Sequence, residues 1–181
     1  MSPRPTGLAD PLLGEWACLG ILYDEPAHGW AIATRLLPSS DIGRIWHIKR
    51  ALTYRSLELL TRRAWIEPIG REPGAAGPNR TILRATRTGR ARFRTWTRTP
   101  VPHLRDLRSE LLLKLVLADL NDIDISAMLD HQRAIVDRHA TALETDDDDT
   151  DDGTDVVRLW RLEATRAARR FIDQLRPDDT G

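Results

Sequence analysis

From Gly70 to Arg80 the chain reads GREPGAAGPNR, with three glycines and two prolines in eleven residues. Such a run is a loop. Two short strand candidates flank it, Trp65 to Ile69 before and Thr81 to Thr86 after, so the whole segment predicts a hairpin. Everything N-terminal to the hairpin reads as helix. Between Pro11 and Tyr23, LLGEWACLGILY is apolar on most of its circumference and ends at DEPAHG, which predicts a first, buried helix. The segment Gly29 to Leu37 places Trp30, Ala33 and Leu37 on one face and stops at Pro38-Ser39-Ser40. A third helix is expected from Ile48 to Arg63. At about 100° per residue, Ile48, Leu52, Ser56, Leu59 and Leu60 share one side, while Arg50, Tyr54, Glu58 and Thr61 share the other. That helix is amphipathic, with a basic and phenolic outer face.

After Thr86 the pattern returns to helix, strongly basic from Arg87 to Arg98. The break Thr99-Pro100-Val101-Pro102 then marks a domain boundary. Beyond it, HLRDLRSELLLKLVLADL, DISAMLDHQRAIVDRHATAL and VVRLWRLEATRAARRFIDQL all read as helices, the last two separated by the acidic run TDDDDTDDGTD. In the last segment Val156, Trp160, Ala164, Ala167, Phe171 and Leu175 recur every three or four residues and form an apolar stripe. The expected fold is mostly α, of α+β class. Three helices and a hairpin make a winged helix-turn-helix domain over residues 10–98, and an all-helical dimerisation region follows over 99–181, with an acidic linker at 145–155.

The formal net charge is zero, but the charge is segregated. Residues 1–100 carry 16 Lys+Arg against 8 Asp+Glu, and residues 101–181 carry 11 against 19. A basic first half points to an anionic partner, typically nucleic acid. Enzyme chemistry finds little support. The only cysteine, Cys18, lies in the most apolar helix, where a thiol is structural. It also allows no internal disulfide, so a cytoplasmic location is the default. The five histidines include no pair at the i, i+4 spacing of a helical metal site, His131 and His139 being two turns apart. The acidic run fails as a calcium loop, because Thr150 and Leu159 stand where ligands would be needed, and seven Asp between 146 and 155 favour a solvated linker. The longest apolar stretch, Leu111 to Leu120, is interrupted by Lys114 and Asp119 and is about half a bilayer span. No catalytic residue, metal, cofactor or membrane contact is therefore expected.

Several short motifs resemble those of the PadR-type transcriptional regulators. These are Tyr54, Leu57 and Leu60 in the third helix, Trp65-Ile66-Glu67, Gly77-Pro78-Asn79-Arg80, Thr86-Arg87-Thr88-Gly89-Arg90, and the Pro-x-His-Gly-aromatic turn at Pro26 to Trp30. The segment Pro100 to Leu115 is similar to the connection between wing and dimerisation helices in one branch of that family. The resemblance spans roughly residues 13 to 140. Arg55 stands where many members have proline, and Ala64 stands where glycine is usual before the strand. The resemblance implies a repressor that acts as a homodimer on a palindromic operator in double-stranded DNA.

The expected DNA-contacting residues are Lys49, Arg50, Thr53, Tyr54 and Arg55 at the start of the third helix, with Asn79 and Arg80 on the wing. Expected dimer contacts are Leu111, Leu112, Leu115 and Val116, with the stripe Val156, Trp160, Ala164, Ala167, Phe171 and Leu175. Six tryptophans suggest a pocket for a small aromatic effector, formed by Trp16, Trp96 and Trp160. The competing reading is a winged-helix module that contacts proteins and has no affinity for DNA.

Overall fold

The structure, a computed structural model, describes residues 9–74, 79–145 and 156–175. Its elements in chain order are α1 (Leu13–Ile21), β1 (Ala27–His28), α2 (Gly29–Arg35), α3 (Arg50–Arg62), β2 (Ile66–Glu72), β3 (Arg80–Ala85), α4 (Arg87–Thr97), α5 (Leu112–Leu120), α6 (Ser126–Thr145) and α7 (Val156–Leu175). A 3₁₀ turn at Leu104–Asp106 and a π-helical turn at Leu107–Leu111 lead into α5. The described residues divide into two compact units, one within residues 9–96 with 113–123, the other within 97–112 with 124–175.

The first unit is a winged helix-turn-helix. Its sheet has the order β1-β3-β2 and is antiparallel throughout. The predicted hairpin is β2 and β3, and Pro68 sits on β2, an edge strand, where a missing N–H costs no central ladder bond. A register shift between Pro68 and Gly70 leaves Ile69 bulged and exposed. The sequence reading did not anticipate β1, whose two residues pair with Leu83 and Ile82 of β3.

Beneath the sheet one core joins all the helices of this unit. Leu19 and Leu22 from the end of α1, Ile32 and Leu36 from α2, Leu60 from α3 and Phe93 from α4 are fully buried together. Each such side chain contributes about 1.5–3 kcal/mol. Leu113 and Leu117 of α5 belong to the same core. The expected boundary near residue 99 is corrected accordingly: α5 returns to the first unit because Leu113 and Leu117, four residues apart, place one apolar face among Phe93 and Trp96.

The peptide of Trp65 ties α3 to β2 and α4. Ala64 adopts φ 55°, and the turn it makes closes α3: Ala64 N–H donates to the Thr61 carbonyl at 2.9 Å and Trp65 N–H to the Leu60 carbonyl at 3.0 Å. The Trp65 carbonyl accepts from Thr86 N–H at 2.9 Å, and the Thr86 hydroxyl in turn accepts from Gly89 N–H at 3.0 Å, capping α4. A Cβ on Gly89 would lie 2.1 Å from the Trp65 carbonyl oxygen, so only glycine fits. These contacts account for the Thr-x-x-Gly spacing noted in the sequence.

A second tie is electrostatic. Glu15 is buried, accepts from Leu12 N–H at 3.1 Å and pairs with Arg63 Nε at 3.1 Å. Arg63 also donates to the Ala9 carbonyl and lies over the Trp65 ring, 5.3 Å from its centroid. Two stability outcomes are expected. Arg63→Ala strands a buried carboxylate and should cost about 3 kcal/mol or more in urea unfolding. Ala64→Gly removes the left-handed cost of a Cβ, about 1 kcal/mol, and should raise the melting temperature by about 2–4 °C. A lower melting temperature for Ala64→Gly would contradict this account of the turn.

Candidate nucleic-acid interface

The inner face of α3 is Thr53, Ser56, Leu57 and Leu60, which are buried. This corrects two expectations. Leu52, placed on the apolar side by periodicity, is 48% exposed, and Thr53, expected to meet DNA, is fully buried. Both follow from the inward line passing through Thr53, Leu57 and Leu60, one residue, or about 100° at most, round the helix from the expected line through Leu52 and Leu59. The outer face keeps Lys49, Arg50, Tyr54 and Arg55 exposed.

The start of α3 is charged against its own dipole. No side chain caps Lys49, and the first turn holds no acid. By contrast, α2 is capped by the His28 ring and α4 by Thr86. Cations beside a helix N-terminus are unfavourable by roughly 0.3–1 kcal/mol each unless an anion is present.

Beside α3, the sheet and α2 form a groove of about 680 Å³ whose lining includes Arg50 and Tyr54 from α3, Trp30 from α2, and Asn79 and Arg80 from the wing. The Arg80 guanidinium lies over the Trp30 ring, 5.5 Å from its centroid. Gly29 lets the tyrosine approach, since a Cβ there would be 2.7 Å from Tyr54 Cε1. Gly77 and Pro78 lie outside the described residues. Sequence reasoning assigned no function to Trp30, His28 or Gly29; their only signal was the Pro-x-His-Gly-aromatic motif.

Ion pairing neutralises only some arginines of this unit, and Arg44, Arg71, Arg87 and Arg92 are exposed without a carboxylate partner among the described residues. Arg35 pairs with Asp41, Arg62 with Glu58 at 2.5 Å and Arg84 with Glu67 at 2.8 Å. Among the described residues Lys49, Arg50, Arg55 and Arg80 have no carboxylate partner. The unit therefore presents uncompensated positive charge where α3 begins and where the wing starts.

Other expected sites fare differently. Trp16 and Trp96 stack on each other at 4.9 Å with planes 5° apart, and Trp65 lies 5.4 Å from Trp16. Lys114 Nζ sits 5.1 Å from the centre of the Trp96 ring. These contacts correct the expected effector site, because Trp16 and Trp96 already occupy each other's faces. Cys18 is buried, and that burial, with the charge of Glu15, pushes its thiol far above the ordinary range. It is not a nucleophile. Among the described residues no cluster of three His, Cys, Asp or Glu is arranged to hold a metal ion, and no helix is long and apolar enough to cross a membrane. The acidic run 146–155 lies outside the described residues.

In the second unit α6 packs on α7. Val136, Thr165 and Ile172 are fully buried, and Arg133 pairs with Asp137 at 3.2 Å and with Asp173. Gln132 pins the segment after α4 through two amide bonds to Val101, 2.7 and 2.9 Å. The α7 stripe is largely uncovered: Val156 is 71% and Trp160 72% exposed, Ala167 and Leu175 are exposed, and Ala164 and Phe171 are half-buried. Trp160, Ala164 and Phe171 line an apolar groove of about 1040 Å³ with Leu104, Leu107 and Leu112. Of the other expected dimer contacts, Leu115 is half-buried, Leu111 is fully buried in its own chain and Val116 packs on the core of the first unit. Leu111 and Val116 are therefore corrected to intrachain packing.

No protein-family model matches the chain, and no curated protein matches it. Among solved structures the chain is similar to PadR of Bacillus subtilis in complex with operator DNA, with 16% identity, 89% of this chain and 96% of that one covered, and a TM-score of 0.46. It is also similar to a PadR-like transcriptional regulator of Bacillus cereus, with 17% identity, 90% and 94% covered, and a TM-score of 0.40.

Proposed function

We propose that this protein is a sequence-specific DNA-binding transcription regulator, a repressor as the motif resemblance implies, and not an enzyme. One observation carries the reading. Lys49, Arg50, Arg55 and Arg80 stand without carboxylate partners on the face formed by α3 and the wing, where Arg50, Tyr54, Trp30 and Arg80 line one groove. Phosphates supply the missing anions. With α3 in a major groove about 12 Å wide, Arg50 reaches a base edge, bidentate to guanine, and Tyr54 fixes register on a phosphate. Asn79 and Arg80 meet the backbone or minor groove from the wing.

A single winged helix reads only a few base pairs, so the reading includes a homodimer with two half-sites about one helical turn apart. The exposed stripe of α7, above all Val156 and Trp160, is the surface that supports it. A ligand response belongs to the same proposal, with the apolar groove beside Trp160 as the place for a small aromatic effector.

Binding to the protein's own promoter region and to random duplex, measured across salt, is the test. Arg80→Ala should weaken both evenly and lower the salt slope by about one, whereas Arg50→Ala should relax specificity at one position. Gly29→Ala, which drives a methyl into Tyr54, should reduce affinity for both duplexes by about tenfold through loss of the phosphate contact. Absence of any salt-dependent affinity would leave the protein-contacting module as the reading. Light scattering at tens of micromolar checks the dimer, and a monomer there would remove the palindromic operator with it.

A further inference from the structure

His28 stands between α2 and the wing and meets a different demand at each ring nitrogen. Its Nδ1 accepts from Ala31 N–H at 3.0 Å, capping α2. That bond places the ring's own proton on Nε2. Nε2 faces Arg80 Nη1 at 3.3 Å. Arginine has donors only. The pair is therefore donor against donor, and the 3.3 Å contact cannot be a hydrogen bond while the cap is made.

Arg80 has no carboxylate partner among the described residues, and Trp30 restrains its guanidinium from one side without consuming a donor. Both side chains thus line the same groove, and among the described residues neither His28 Nε2 nor the Arg80 guanidinium donates to an acceptor. One acceptor with several lone pairs and a negative charge satisfies both at once. We propose that His28 Nε2–H and Arg80 together hold a single backbone phosphate of the DNA strand at the base of the wing. The inference rests on the reading of this face as a DNA surface and adds to it a neutral donor, His28, that charge counting overlooks. It also couples phosphate contact to the α2 cap, because a ring turned over to donate from Nδ1 would lose both.

The first measurement is the tautomer of His28 in the free protein, from long-range ¹H–¹⁵N correlation. A proton on Nε2 is expected; a proton on Nδ1 would mean that Arg80 donates to the ring, and the shared site would not exist. The second is a double-mutant cycle in DNA affinity. His28→Asn keeps a cap acceptor and removes the groove donor, so affinity should fall about tenfold with the salt slope and melting temperature unchanged. Arg80→Ala lowers the slope by about one. The two losses should combine to clearly less than their product; losses that multiply fully, or wild-type affinity in His28→Asn, overturn the pairing. Should the wild-type protein bind no DNA, the DNA reading fails by itself and titration with inorganic phosphate decides this one. Joint shifts of the His28 and Arg80 side-chain resonances that vanish in Arg80→Ala support the anion site, and no shift overturns it.

Discussion

The peptide of Trp65 fixes where the wing stands relative to α3. Its N–H closes the last turn of α3 on the Leu60 carbonyl, and its own carbonyl starts α4 through Thr86. Between them lies Ala64, the residue that turns left-handed so that the chain can leave the helix and enter β2 at once. Moving any one of these groups by an ångström would swing the hairpin as a lever. The groove that holds Arg50, Tyr54 and Arg80 depends on that angle. Gly89 is the counterpart on the other side, since any Cβ there would collide with the Trp65 carbonyl and push α4 off the junction.

Where the sequence carried a period or a turn signature, it was legible. The amphipathic α3 and the glycine-rich hairpin lie within a few residues of their expected bounds. What escaped was non-local. A two-residue strand such as β1 has no period to detect and exists only because β3 offers an open edge to Ala27 and His28. The return of α5 to the first unit turns on where Leu113 and Leu117 find partners, which proline breaks upstream do not reveal. Thr53 shows the smallest error with the largest effect. A shift of the inward line by one residue converts an expected base contact into a buried hydroxyl that makes no hydrogen bond.

The tryptophans teach a related lesson about composition. Trp16, Trp65 and Trp96 are consumed by one another, with Arg63 and Lys114 placed on their faces. Aromatic stacking and cation–π contact add about 0.5–1.5 kcal/mol each beyond burial, so such a cluster is a stabilising feature in its own right. Trp30 and Trp160 are the ones left exposed, at 47% and 72%. Exposure of so large an apolar side chain is unfavourable in isolation, and it falls on the two faces where partners are proposed.

Stability and binding pull in opposite directions at the start of α3. Asp or Ser at position 49 would cap the helix, and an acid in its first turn would answer the dipole. This chain has Lys49 and Arg50 instead, so the free domain gives up about a kcal/mol or more of helix stability there. The same residues make the face a stronger attractor for phosphate, because the helix N-terminus and the two cations add rather than cancel. The ion pairs at Asp41, Glu58 and Glu67 neutralise three other arginines of the unit, Arg35, Arg62 and Arg84. Exposed pairs of this kind contribute little to stability. Uncompensated charge is spread over Arg44, Arg71, Arg87 and Arg92 as well, so what distinguishes the start of α3 as a place for an anion is the helix N-terminus with Lys49 and Arg50 beside it.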